Sequence, residues 1–96
     1  MLQINYIKGK YELEGNLVLE NSRSLKSYLE TLLDYNSKVI LSLKNIKAID
    51  NSSIEVLFDL CKKASQNNKV LKVFGKANKK ITKTLNNSKL KEFIKD

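Results

Sequence analysis

The chain reads as an α/β domain. Three observations predict it: a period-two apolar alternation near the N-terminus, two amphipathic helical stripes further on, and a strand-like apolar run after each stripe. Strands alternating with helices call for right-handed crossovers, hence a mixed, mostly parallel sheet of about four strands packed by three to four helices. With 96 residues there is room for one core, so residues 1–96 are expected to form a single domain.

Leu2, Ile4 and Tyr6 alternate with Gln3 and Asn5, and beyond Lys8-Gly9 the residues Tyr11 and Leu13 alternate with Glu12 and Glu14. These runs predict two strands joined as a hairpin. Gly15-Asn16 interrupts the second strand, predicting a bend or bulge before Leu17, Val18 and Leu19 extend it. Leu25, Tyr28, Leu29, Leu32 and Leu33 then follow helical spacing. Asn21, Ser22 and Ser24 mark the start of this helix, which ends near Asp34 to Ser37. Val39, Ile40, Leu41 and Leu43 form a nearly continuous apolar run, the pattern of a central strand covered on both faces. A loop from Ile46 to Ser53 leads to the second helical stripe: Ile54, Leu57, Phe58, Cys61 and Ala64, widened by Val56 and Leu60. Ser52 and Glu55 have the spacing of a capping box, which places the helix start at about Ser52. Val70, Leu71, Val73 and Phe74 predict another strand and Gly75 a turn. Ile81, Leu85, Leu90, Phe93 and Ile94 supply the stripe of one or two short terminal helices.

Composition removes whole classes of chemistry. There is no histidine, so the usual zinc sites and histidine-based acid/base pairs cannot be assembled, and one cysteine cannot make an internal disulfide. Asp50 and Glu55 have no histidine, metal constellation or glycine-rich phosphate loop beside them, so no catalytic residue, cofactor or metal is expected and the chain is read as a non-enzyme. Cys61 lies on the apolar stripe of the second helix and reads as a small buried hydrophobe. No apolar run is long enough to cross a membrane, and the first residues lack a secretory pattern, so a soluble cytoplasmic protein is expected.

The net charge of +8 is uneven. Residues 1–61 hold seven basic and eight acidic groups, whereas residues 62–96 hold eleven lysines against Glu92 and Asp96. Such an excess suggests an acidic partner, a membrane surface or nucleic acid. Seventeen lysines to one arginine, together with eleven asparagines and eight isoleucines, is also what an AT-rich coding sequence yields. Phe58, Phe74 and Phe93 are assigned to the core rather than to base stacking, so no nucleic acid is expected.

In parallel sheets, functional surfaces gather at the carboxyl ends of strands and the helix starts that follow, which singles out the loop Ile46 to Ser53. Here Val39-Ile40-Leu41-Ser42-Leu43, followed by Ile49-Asp50-Asn51-Ser52-Ser53-Ile54-Glu55-Val56-Leu57, resembles the STAS domain of bacterial anti-sigma factor antagonists. In that family an apolar strand precedes a pattern approximating (I/M)-D-S-S-G-L-G-V-L. The earlier Leu13-Glu14-Gly15-Asn16-Leu17 resembles the family's second strand, and the likeness covers essentially the whole chain. The resemblance implies a bacterial, partner-switching regulator of transcription that binds an anti-sigma kinase-type ATPase and is switched off by phosphorylation of the first serine after the aspartate. Gapless alignment sets Asp50 on the family aspartate, Asn51 on the phosphorylated serine and Ser52 on the second serine. An amide cannot accept a phosphoryl group, so the usual switch is absent at Asn51. Ser53 and Glu55 stand where the family has glycine or a small residue, which points either to a different partner fit or to a shifted local geometry. The resemblance thus makes Asp50, Asn51, Ser52, Ser53 and Glu55 the candidate partner-binding residues, with Ser52 and Ser53 the alternative phosphorylation sites. Ordinary helix capping competes for the same residues, because Asp, Asn and Ser are the preferred caps. STAS-like domains also occur in lipid-transport ABC systems, so an accessory subunit binding the ATPase or membrane subunit of such a transporter is the alternative.

Overall fold

A computed structural model describes residues 2–95. Two strands, β1 (Leu2–Ile7) and β2 (Lys10–Leu17), are followed by α1 (Leu19–Tyr35), β3 (Lys38–Ile49), α2 (Asn51–Gln66), β4 (Val70–Phe74), α3 (Thr82–Asn86), a 3₁₀ helix at Lys89–Phe93 and β5 (Ile94–Lys95). The sheet runs β1-β2-β3-β4-β5. Only the β1–β2 pair is antiparallel. Lys8 and Gly9 both take positive φ in the tight turn between β1 and β2, as a two-residue hairpin with the right-handed strand twist requires. The predicted α/β class and mostly parallel sheet are what the structure has, with a fifth strand beyond the four expected. Two-residue β5 is too short to leave a periodic signal.

Sequential order with parallel strands turns every crossover the same way, which puts the helices on one face of the sheet. Leu13, Val39, Leu41 and Val73 from the strands, Leu25 and Leu29 from α1, and Leu57 and Leu60 from α2 are buried together in the core between them. Among the described residues no helix covers the opposite face. There the ammonium of Lys10 lies over the Phe74 ring, 5.1 Å from its centre, and Lys44 meets Glu12 at 3.6 Å. Long side chains, not a second layer of helices, thus cover the far side of β3.

Three boundaries differ from the expectation. Helix α1 starts at Leu19, so Val18 and Leu19 do not extend β2. Asn21 sits inside the first turn, where its Oδ1 accepts the Val18 N–H at 3.0 Å and its Nδ2 donates to the Asn16 carbonyl at 2.9 Å. The polar residues that read as a cap precursor therefore act backwards from within the helix. Strand β3 continues to Ile49 and α2 begins at Asn51, so the first half of the predicted loop is strand and its last three residues are helix. The pairing of β3 with β2 shifts between Glu12 and Glu14 and again between Gly15 and Asn16, and each shift leaves one extra residue in β3. The extra residues break the apolar alternation that would have revealed the strand. Finally, Asp50 rather than Ser52 caps α2, which begins at Asn51.

Candidate functional site

The start of α2 is built around one carboxylate. Asp50 follows directly on β3 with extended backbone, φ −100° and ψ 166°. Its Oδ1 accepts the Ser53 N–H at 2.8 Å, the usual capping bond for a helix N-terminus. Its Oδ2 accepts the Leu19 N–H at 2.9 Å, which belongs to the start of α1. Asp50 N–H donates to the Leu17 carbonyl at 3.2 Å. Asp50 therefore ties two helix starts together through its half-buried side chain and two strand ends through its backbone. Burial acts to raise the Asp50 pKa. The Ser53 side chain first, then the amides of Ser53 and Leu19, together outweigh it and hold the carboxyl below its ordinary value. The Ser53 hydroxyl favours the charged form although it lies outside hydrogen-bonding geometry.

With Asp50 so engaged, the next residues divide by side. Asn51, Ser52 and Glu55 are exposed on the first turn of α2. Ser53 is 1 % exposed, and its Oγ has no hydrogen-bond partner. It faces the core with Ile54, 3 % exposed, so it offers no hydroxyl to a partner or a kinase in this conformation. Of the two candidate serines, Ser52 alone lies at the surface. The expected Ser52–Glu55 capping box does not form because the cap is already filled two residues earlier.

From Asn51 and Glu55 a cleft of about 610 Å³ continues along α2, past Phe58 and Lys62, to Ser88 and Lys89 near the 3₁₀ helix. The Phe58 ring packs edge-on against Phe93 with centroids 5.7 Å apart, which forms the apolar floor of this side. Sequence reasoning assigned Phe58 to the core and did not connect the helix start to Ser88 and Lys89. Those residues meet only because the chain after β4 folds back beside α2. Cys61, on the inner stripe, is 2 % exposed, and burial pushes its thiol pKa up to about 12. Among the described residues no group of three acidic or thiol side chains could hold a metal ion, and no helix is long and apolar enough to cross a membrane.

These features define a class: a small α/β domain in which one sheet, covered by helices on one side, presents an acid-capped helix start at the carboxyl end of its central strand. The chain belongs to the STAS domain family, whose model matches residues 3–95. Solved structures agree in fold. The anti-sigma factor antagonist SpoIIAA in its unphosphorylated form superposes with a TM-score of 0.77 at 12 % identity, over 100 % of this chain and 87 % of that one. The protein TM1081, solved by NMR, gives 0.75 at 22 % identity, over 100 % of this chain and 81 % of that one. The Bacillus cell fate determinant SpoIIAA in its phosphorylated form gives 0.69 at 11 % identity, over 100 % and 90 %. Among curated protein sequences no significant match is found.

Proposed function

We propose that this domain is a non-enzymatic regulatory module of the anti-sigma factor antagonist type, acting in the cytoplasm, and that it binds an anti-sigma kinase-type ATPase through the first turn of α2. The observation that carries this reading is the exposed Asn51–Ser52–Glu55 surface, held in place by an Asp50 whose own carboxylate is spent on two backbone amides. Asp50 is in this reading the positioning residue, and Asn51, Ser52 and Glu55 are the contacts. Ser53 supports the turn from inside. Asn51 stands where the family has its phosphorylated serine, so the module stays binding-competent under conditions in which a serine would be modified.

The partner is identified by crosslinking the tagged protein in its native extract, with a crosslink at Lys47 expected to an anti-sigma-type ATPase. Recovery of ABC transporter subunits instead would keep the fold and overturn the antagonist assignment. With the partner in hand, Asn51→Asp is expected to weaken binding at least tenfold, because it sets a charge where the family adds a phosphate. An unchanged dissociation constant would remove Asn51 from the interface. Asn51→Ser is expected to gain one phosphate mass with partner and ATP, while the unaltered chain does not. Absence of that gain would count against a kinase partner.

A further inference from the structure

A second cleft lies at the same end of the sheet, separate from the α2 start. It measures about 400 Å³ and is lined by Glu14, Lys44, Asn45, Lys47, Asn78 and Lys80, with none of residues 50–55 among its walls. Its shape follows from the irregularity of β3. Pairing with β4 ends at Ser42 opposite Phe74, and two extra residues interrupt the pairing with β2. As a result Lys44, Asn45 and Lys47 are all exposed, where strict alternation would have turned some of them to the core.

The opposite wall is the segment between β4 and α3, and a buried amide fixes it there. Asn78 is 8 % exposed. Its Nδ2 donates to the carbonyls of Leu43 at 2.8 Å and Ile46 at 2.7 Å, which have lost the β4 ladder. Its Oδ1 accepts the Lys80 N–H at 3.1 Å, and its carbonyl accepts the Thr82 hydroxyl at 2.6 Å. Asn78 thereby holds Lys80 across the cleft from Lys44 and Lys47.

The three lysines take no part in this stitching through their ammonium groups. Lys44 reaches Glu12 at 3.6 Å; its own side chain is 58 % exposed and that of Glu12 14 %, so the pair offsets part of the charge of Lys44 while its ammonium still faces solvent. Glu14 is the single acid on the walls. With Lys44, Lys47 and Lys80 set against Glu14 on the walls and Glu12 beside Lys44, the cleft keeps a positive excess and gains from an anion that bridges the lysines. Compact ammonium groups without an arginine suit a multiply charged phosphate as point charges, rather than a planar carboxylate gripped in a fork. The cleft is also roomier than a bare phosphate needs and lies in the range of small-molecule sites.

We propose that this cleft binds the phosphate monoester or diphosphate group of a small phosphorylated ligand, with Lys44, Lys47 and Lys80 as its charge partners. The site is independent of the docking turn and does not rest on the antagonist reading. The test uses the full chain labelled with ¹⁵N, titrated with pyrophosphate against sodium chloride of equal ionic strength. Saturable shifts are expected at the amides of Lys44, Asn45, Lys47 and Lys80 and at the Asn78 side-chain amide. The double variant Lys47→Gln/Lys80→Gln, at surface positions that leave the Asn78 bonds intact, is expected to weaken binding by about tenfold or more, whereas Glu14→Gln strengthens it. A parallel arm replaces pyrophosphate with vesicles containing phosphatidic acid. Sedimentation that the double variant abolishes assigns the phosphate to a lipid headgroup, and saturable pyrophosphate binding that it weakens assigns it to a soluble ligand. The proposal is overturned if neither probe binds, or if shifts spread equally to Lys62 and Lys89 and ignore the double variant.

Discussion

Two junctions at the carboxyl end of the sheet solve opposite problems with one side chain each. Where β3 meets α2, the orphan groups are amide donors at two helix starts, and the Asp50 carboxylate accepts from both. Where the β4–α3 segment crosses β3, the orphan groups are two carbonyls left by the end of the β4 ladder, and the Asn78 amide donates to both. A buried backbone group without a partner is costly, which weighs most on the Asn78 clip, whose two bonds are buried, and less on Asp50, whose bonds are part-buried and exposed. The clips also differ in charge. A carboxylate can lose its role in acid, whereas a carboxamide holds its bonds at any pH the fold survives. The docking turn thus rests on a titratable support and the lysine cleft on a neutral one.

The largest expected effect comes from the neutral clip. Asn78→Ala leaves the Leu43 and Ile46 carbonyls unsatisfied and releases Lys80, and is expected to cost about 2–4 kcal/mol of unfolding free energy. Urea denaturation measures it. A loss under about 0.5 kcal/mol, the range of an ordinary surface change, would show that water replaces the amide freely and that the two junctions are not equivalent.

Asp50 comes next. Asp50→Ala removes the α2 cap and the bond to Leu19, and is expected to cost about 1–3 kcal/mol at neutral pH. The sign of its pH dependence follows from the lowered pKa. Stability from the carboxylate is fully present above the ordinary unfolded-state value of 3.8 and is lost as pH falls through the lower folded value. The gap between the native chain and Asp50→Ala should therefore be constant from neutral pH to about pH 5 and narrow only in stronger acid. The gap for Asn78→Ala should stay flat across the same range. Equal narrowing in both would mean that the acid sensitivity comes from elsewhere in the molecule.

The same contrast explains what could be read from the sequence. Asp50 was visible because it sits in a residue pattern, between an apolar strand and a helical stripe, and because an aspartate before a helix has a local meaning. Its second bond, to Leu19, spans 31 residues and depends on β2 and β3 lying side by side, so no local pattern contained it. Asn78 had no such context. It is one of eleven asparagines and stands in a lysine-rich stretch that reads as surface, yet it is buried against the Leu43 and Ile46 carbonyls of β3. The bulges hid the second half of β3, since alternation is the strand signal and two extra residues erase it. By contrast the core stripes of α1 and α2 were legible at their centres: Leu25, Leu29 and Leu33, and Ile54, Leu57 and Cys61, are all buried, while Tyr28 on the edge of the α1 stripe is exposed. Their meaning depends on a helical period that nothing interrupts.

The smallest expected effect separates the two accounts of the α2 start. A Ser52 cap with Glu55 returning to it predicts that Ser52→Ala costs about 1 kcal/mol, as the loss of a serine cap does. In the structure Ser52 is an exposed helical residue behind a filled cap, so the change should stay within about 0.5 kcal/mol, with alanine's better helix propensity offsetting whatever the hydroxyl contributes. Thermal unfolding of the two chains side by side decides it. A cost near that of a lost cap would move the helix start to Ser52 and put Asp50 and Asn51 in a loop. A neutral result has a practical consequence for the docking turn. Ser52 could then be replaced without disturbing the fold, and any change in partner binding would report on contact alone. Asp50 offers no such freedom, because every change there alters the support and the surface together.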